Sequence, residues 1–287
     1  MCTIRRLFYL WIMIFSTLLI DAQDLDLTPN PLCASSSSME FWSSKDATSL
    51  ESFKIEKISF GRNNYKFVPD PLNGEETVLR VFYPKGSRTP TSPGEQGGLG
   101  FYSKPIALEK EVTLEYKVFF PEGFDFVKGG KLPGIYGGSP DCPDNNNRRK
   151  CFTTRFMFRT KGEGEIYIYA PLSQAPEYCH IYPRSVCNPN YGDSLARGSF
   201  QFTTGKWHTL KQSLHMNDVG EENGILRVWA DGNLVIDYHQ LVYRTEEAVQ
   251  NIGMIFHTFF GGSTPLYSTP KDQFSYFKDF NIYNCTM

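Results

Sequence analysis

Phe152-Thr-Thr-Arg-Phe-Met-Phe-Arg-Thr160 and Glu165-Ile-Tyr-Ile-Tyr-Ala170 are two alternating runs flanking Lys161-Gly-Glu-Gly164. Alternation with period two marks strands, and a short glycine-containing break between them reads as a hairpin turn. On that reading Thr153, Arg155, Met157 and Arg159 share one face of the first strand. Tyr167 and Tyr169 share one face of the returning strand. Directly opposite residues of an antiparallel pair have Cβ atoms only about 5 Å apart, so Arg155 can lie beside the tyrosine pair.

Similar runs extend in both directions. Thr77–Tyr83 reads as a strand closed by Pro84, and Val112–Phe120 as one closed by Pro121. Further strands are expected at Trp207–His215, Ile225–Ala230, Leu234–Tyr238 (after an Asp231-Gly232 turn), Val249–Phe260 and Phe274–Tyr283. Helical periodicity is confined to a short stretch near Thr245–Ala248. Many strands punctuated by Gly, Pro and Asn predict an all-β chain, a two-sheet jelly-roll β-sandwich. The stretch Gly205-Lys-Trp-His-Thr-Leu, followed by Leu226-Arg-Val-Trp-Ala-Asp-Gly, resembles the lectin-type, concanavalin-like version of that fold. A fold does not choose a function.

The chain opens with Arg5 and Arg6, runs apolar from Leu7 to Ile20 and reaches the small Ala22. This predicts a signal peptide over 1–22 and a secreted, extracellular product, soluble once the signal is cleaved. Residues 23–38, ending in Ser35–Ser38, read as an extended lead-in, and 39–287 as one domain. Loss of Cys2 with the signal leaves Cys33, Cys142, Cys151, Cys179, Cys187 and Cys285. An even number in a secretory context reads as disulfides, and spacing suggests Cys142–Cys151, Cys179–Cys187 and Cys33–Cys285. The sequon Asn284-Cys285-Thr286 is a candidate glycosylation site at Asn284. The absence of C-x-x-C or H-E-x-x-H spacing argues against a zinc or redox site. A formal net charge of −2 excludes the basic excess expected of a nucleic-acid binder.

Lys128-Gly-Gly-Lys-Leu-Pro-Gly-Ile-Tyr-Gly-Gly138 stands out because its glycines let backbone approach a ligand closely. Taken alone, Lys131 within it is a solvated lysine of a glycine-rich edge segment. Arg155 with the two tyrosines is, by the same standard, an ordinary surface pair. Glu163 and Glu165 have the i, i+2 spacing of some glycosidase carboxylates, but they lie at a turn and read as solvated. Arg148-Arg-Lys150 reads as a solvated loop able to steer a polyanion. His180, His208, His215 and His239 are scattered, while His257 precedes Phe259-Phe-Gly-Gly and is placed to line a groove.

Lys131–Gly138, Thr153–Arg159, Gly162–Ala170, Arg197-Gly-Ser-Phe, Gly205-Lys-Trp and Thr258-Phe-Phe-Gly-Gly-Ser together resemble polysaccharide lyase family 14, the alginate and glucuronate lyase family. The resemblance runs from about Leu79 to Tyr283. It implies a jelly roll that cleaves uronate polymers by β-elimination without a cofactor or catalytic metal. It assigns catalytic roles to Lys131, Arg155, Tyr167 and Tyr169. Thr153 stands where the family has a serine, and Arg159, Arg197 and His257 are expected to contact substrate, with Lys206 a weaker candidate. The partner is then an anionic polysaccharide and the protein a monomer.

Removing the C5 proton of a uronate requires positive charge or hydrogen-bond donors at the C6 carboxylate. Lys131 and Arg155 can supply these, with arginine suited to bidentate contact. The base is either a tyrosine phenolate stabilised by these cations or Lys131 itself with a depressed pKa. Sequence does not separate the two; the expectation is the tyrosine, with Lys131 neutralising the carboxylate. A lectin that keeps the groove without turnover, and a glycoside hydrolase using Glu163 or Glu165, are the competing readings.

Overall fold

A computed structural model describes residues 38–140 and 148–286. Among these, the first strands are β1 (Ser38–Ser43), β2 (Ile55–Phe60), β3 (Tyr65–Pro69), β4 (Thr77–Tyr83) and β5 (Leu99–Ser103). Then come β6 (Glu111–Phe119), β7 (Gly129–Gly138), β8 (Cys151–Arg159), β9 (Glu163–Tyr169) and β10 (Asp193–Gln201). The last five are β11 (Trp207–His215), β12 (Gly224–Ala230), β13 (Asn233–Leu241), β14 (Asn251–Phe260) and β15 (Gln273–Thr286). The alternating runs at Thr77–Tyr83 and Trp207–His215 form strands with the expected limits. Thr245–Ala248 is a bend and turn rather than a helix, and Thr160–Gly162 makes a short 3₁₀ turn before β9.

All pairings are antiparallel and form two sheets. One has the order β13-β12-β11-β6-β15-β4-β3, with β1 beside the end of β15; the other runs β10-β9-β8-β7-β14-β5-β2. The glycine-rich segment is therefore a central strand of the second sheet rather than an edge.

Inward positions of both sheets fill the space between them. Tyr116 of β6 meets Phe156 of β8 edge-on at 5.9 Å, and Phe101 stacks on Phe256 at 4.6 Å. Phe120, Phe124, Phe158 and Phe260 interlock at one end of this layer. Aromatic rings supply much buried area per side chain, which is why an aromatic-rich chain can fill so broad a core. Polar groups also meet across it: the Thr154 hydroxyl donates to Gln212 Oε1 (2.6 Å), whose amide returns a bond to the Thr154 carbonyl (3.1 Å), and the Tyr83 hydroxyl bonds that of Thr258.

Candidate active site

An antiparallel sheet normally alternates buried and solvated side chains. β8 breaks this rule, because it is buried on both faces along nearly its whole length. Phe152, Phe156 and Phe158 belong to the core between the sheets. Thr153, Arg155 and Met157 point the other way and are buried too. Covering polar groups on an outer face costs free energy unless partners or a ligand satisfy them, so this face is the candidate site.

β7 is shaped to bring Lys131 onto it. Lys131 pairs with Met157 and Gly134 with Arg155, so three steps along β7 match two along β8. This bulge re-aims the strand and puts Lys131, Gly134 and Tyr136 in line with Met157, Arg155 and Thr153. Pro133 lies within the bulge, and its carbonyl accepts the Tyr116 hydroxyl at 3.1 Å. At Gly134 a Cβ would stand 1.8 Å from the Thr154 carbonyl oxygen, so only glycine allows the two strands to approach this closely.

The expected residues converge. Arg155 faces Tyr167 and Thr153 faces Tyr169 across β8 and β9. The Lys131 Nζ lies over the Tyr167 ring, 2.8 Å from its centroid, and contacts Met157 Sδ at 3.1 Å. The Arg155 guanidinium stands 5.6 Å from the Tyr169 ring centre, and the two tyrosine rings are 5.7 Å apart. His257 of β14 completes the face, wedged between Phe60 and Tyr102. Gly192 closes the tyrosine side, since a Cβ there would stand 2.4 Å from Tyr167 Cε1 and 2.7 Å from Tyr169 Cε2.

Lys131 is 7% exposed and Arg155 2%. Burial, then the charges of Arg155 and Arg159, hold the Lys131 amine well below the usual lysine range. Burial and Arg155 likewise hold His257 neutral. Tyr167 moves upward, because burial and Tyr169 outweigh Arg155 and Arg159. Protein cations next to a tyrosine do not make it a phenolate when both are withdrawn from water. These directions, a lysine moved toward its neutral form and Tyr167 toward its protonated form, are opposite to those that a tyrosine base beside a charged Lys131 calls for. On this face three buried atoms, Thr153 Oγ1, Arg155 Nε and His257 Nε2, have no hydrogen-bond partner among the described residues.

Glu165 corrects another expectation. It is not a solvated turn residue but a fully buried member of β9 on the same face as Tyr167 and Tyr169. Arg159 Nε donates to its Oε1 (2.8 Å), Arg197 Nε to its Oε2 (2.7 Å) and the Ser194 hydroxyl to Oε2 (2.5 Å). Arg159 and Arg197 are thus engaged by a protein carboxylate, keeping only part of each guanidinium exposed. Glu163 is different, forming an exposed pair with Arg184 at 3.0 Å. Burial raises the Glu165 pKa, but Arg159, Arg197 and Ser194 more than offset this and lower it overall. Its stabilising contribution is present above the usual glutamate pKa and lost as pH falls through the lower folded value. Glu165→Ala, by stranding two guanidiniums, is expected to cost about 3–5 kcal/mol at neutral pH. Urea unfolding checks this, and the gap from wild type should narrow in acid.

Other expectations change with the structure. Arg148 is buried and bonds Asp193 (3.5 Å), the Asn188 carbonyl (3.2 Å) and the Tyr191 carbonyl, so it is not part of a solvated basic loop. Lys206 pairs with Asp231 on the other sheet's side of the molecule, away from this face. His208, His215 and His239 pair with Asp231, Glu111 and Asp237. Asn284 is 1% exposed; its amide donates to the Ala107 carbonyl and its oxygen accepts the Glu109 N–H. A side chain so engaged is not accessible for glycosylation in the folded chain. Cys179–Cys187 is a disulfide with Cα atoms 5.7 Å apart. Cys151 is also disulfide-bonded. Residues 1–37, with the expected signal, most of the lead-in and Cys33, lie outside the described residues, as do Cys142 and the Cys285 side chain.

The polysaccharide lyase 14 family model matches residues 71–280. The crystal structure of the marine PL-14 alginate lyase from Aplysia kurodai is 33% identical, covers 84% of this chain and 97% of its own, and superposes with a TM-score of 0.72. An alginate lyase from a Chlorella virus has 24% identity, 82% and 93% coverage and a TM-score of 0.68. An endo-β-1,4-glucuronan lyase from the fungus Trichoderma reesei, 9% identical with 87% and 95% coverage, shares the fold at a TM-score of 0.55. No curated protein matches the chain. With the family model matched over residues 71–280 and a 33% identical relative covered over 97% of its length, the chain belongs to polysaccharide lyase family 14.

Proposed function

We propose that the protein is a secreted lyase that cleaves alginate-type polyuronates by β-elimination at the outer face of the second sheet. The observation that carries this reading is the trio of unpartnered buried atoms, Thr153 Oγ1, Arg155 Nε and His257 Nε2, beside a lysine held toward its neutral form. A carboxylate entering there meets a guanidinium and a hydroxyl, and the imidazole can bond it or a sugar hydroxyl. Resemblance to the Aplysia alginate lyase supports a mannuronate or guluronate polymer as substrate.

In this reading Arg155 and Thr153 bind the C6 carboxylate and stabilise the charge that develops when the C5 proton leaves. Neutral Lys131 takes that proton. The C5–H electron pair forms the C4–C5 double bond, and the C4–O4 bond breaks. The tyrosine pair supplies the proton that O4 carries away. A neutral amine as base and a phenol as acid match the direction in which burial moves Lys131 and Tyr167.

The test is incubation with alginate, its two homopolymer blocks and glucuronan while following ultraviolet absorbance of the 4,5-unsaturated uronate. A rise on alginate or its blocks is expected. No rise on any polymer between about pH 5 and about pH 10 overturns the reading, and polymer binding without turnover would instead indicate a lectin. Tyr169→Phe should lower turnover by about 10²–10⁴-fold. Calorimetric affinity for an alginate oligosaccharide should stay within about threefold, because only the phenolic oxygen and its proton are removed.

A further inference from the structure

Phe259 of β14, Lys131 of β7, Met157 of β8 and Glu165 of β9 form one rung across the second sheet. Glu165 is therefore two strand spacings, about 10 Å, from the backbone of Lys131. The charged and titratable groups around Lys131 come from several strands. β8 contributes Arg155 and Arg159, β9 contributes Glu165 and Tyr167, and β10 contributes Arg197. On the β14 side Phe259 is the direct neighbour, and His257 lies beside Arg155.

Glu165 has two effects here. It fixes Arg159 through Oε1 and Arg197 through Oε2, with Ser194 as a third anchor. It also cancels part of their field, leaving the Arg159–Glu165–Arg197 group with one net positive charge. Arg155, Arg159 and Arg197 drive the proton off Lys131, and Glu165 alone among its named charged neighbours holds it on. Too little positive field would leave Lys131 charged and unable to act as base. Too much would leave it neutral but a poor proton acceptor, because base strength falls with pKa.

We propose that Glu165 is a positioning residue for proton abstraction: from β9 it anchors Arg159 and Arg197 and balances their charge, which tunes Lys131 on β7 as a base. This inference rests on the reading of Lys131 as the base. It gives the buried glutamate a task distinct from the acid or nucleophile role that carboxylates take in glycosidases.

The experiment is the pH profile of kcat/KM on alginate for the wild type, Glu165→Gln, Arg197→Gln and Lys131→Met, with folding followed by circular dichroism. The wild type should show an acid limb in which activity rises as Lys131 loses its proton. Glu165→Gln should move that limb down by about one pH unit, the order expected of a unit charge about 10 Å away. Arg197→Gln should move it up. Opposite displacements from two partners of one ion pair are not produced by general loosening of the fold. Limbs that coincide with wild type, or that move the same way in both variants, overturn the inference. If Glu165→Gln does not fold, Arg197→Gln decides: an upward shift supports the role and an unmoved limb sinks it. A wild-type profile without an acid limb, or wild-type turnover in Lys131→Met, overturns Lys131 as base. A Lys131-dependent limb left in place by Glu165→Gln overturns only the role of Glu165.

Discussion

Lys131→Met is expected to lower turnover by about 10²–10⁴-fold and at the same time to make the protein more stable at neutral pH. The two effects share one cause. Burial and three nearby guanidiniums disfavour the charged amine, and methionine fills nearly the same volume without a charge to desolvate. The sign of the linkage is definite. Lysine in the unfolded chain titrates near 10.4, and folded Lys131 titrates lower. Between these values the unfolded state binds more protons, so wild-type stability rises with pH across that window. Below the folded value the wild type bears the full penalty, which the methionine variant lacks. The variant's melting temperature should thus exceed that of wild type by about 2–4 °C for each ~1 kcal/mol relieved, measured near pH 7. Its advantage should shrink toward about pH 10. A methionine variant less stable than wild type at neutral pH, with no change in the gap as pH rises, would mean that Lys131 is a well-satisfied charged group. Gain of stability on loss of function is typical of sites strained for activity.

Gly134→Ala should cost about 3 kcal/mol or more, because a Cβ would stand 1.8 Å from a backbone oxygen that cannot rotate away. The neighbouring contacts, Thr154 C and Arg155 Cα, are backbone too, so relief requires β7 and β8 to separate. That separation would also shift Lys131 relative to Arg155, and activity should fall more than the loss of folded protein explains. Urea unfolding with activity corrected for folded fraction measures both effects. Gly220→Ala is the control: its φ of +93° carries conformational strain, but nothing lies within 4 Å of a Cβ there. Its cost should stay near 1 kcal/mol with activity unchanged. Equal costs at the two positions would show that conformation, not the close approach of β7 to β8, makes Gly134 necessary.

Much of the fold was legible because alternation is local. Thr77–Tyr83 and Trp207–His215 have one buried and one wetter face, and each strand has the limits its pattern implies. β7 was not legible as a central strand, since five glycines and a proline mask its pattern. Leu99–Ser103 is buried at every position and too short to show a period. Asp193–Gln201 is broken by a bulge between Leu195 and Phe200 and by a positive φ at Ala196. Family resemblance found Lys131, Arg155 and the tyrosines. Glu165 has the same parity as Tyr167 and Tyr169, so the alternation that placed the tyrosines on the site face places it there as well. Its nearness to Lys161-Gly-Glu-Gly made it read as part of the turn.

The order of residues by itself determined the all-β architecture and the shared face of Arg155, Met157 and Arg159. It also determined the tyrosine pair that follows on the returning strand. Each follows from side-chain direction alternating every residue along an extended chain. Only the tertiary structure decided in which direction the proton affinities of Lys131 and Tyr167 move. Charge state depends on burial and on fields from other strands: Arg155 and Arg159 from β8, Glu165 from β9 and Arg197 from β10 all act on Lys131 of β7. Those distances exist only after β10, β9, β8 and β7 have been laid side by side, because Coulomb interactions read separation in space rather than along the chain.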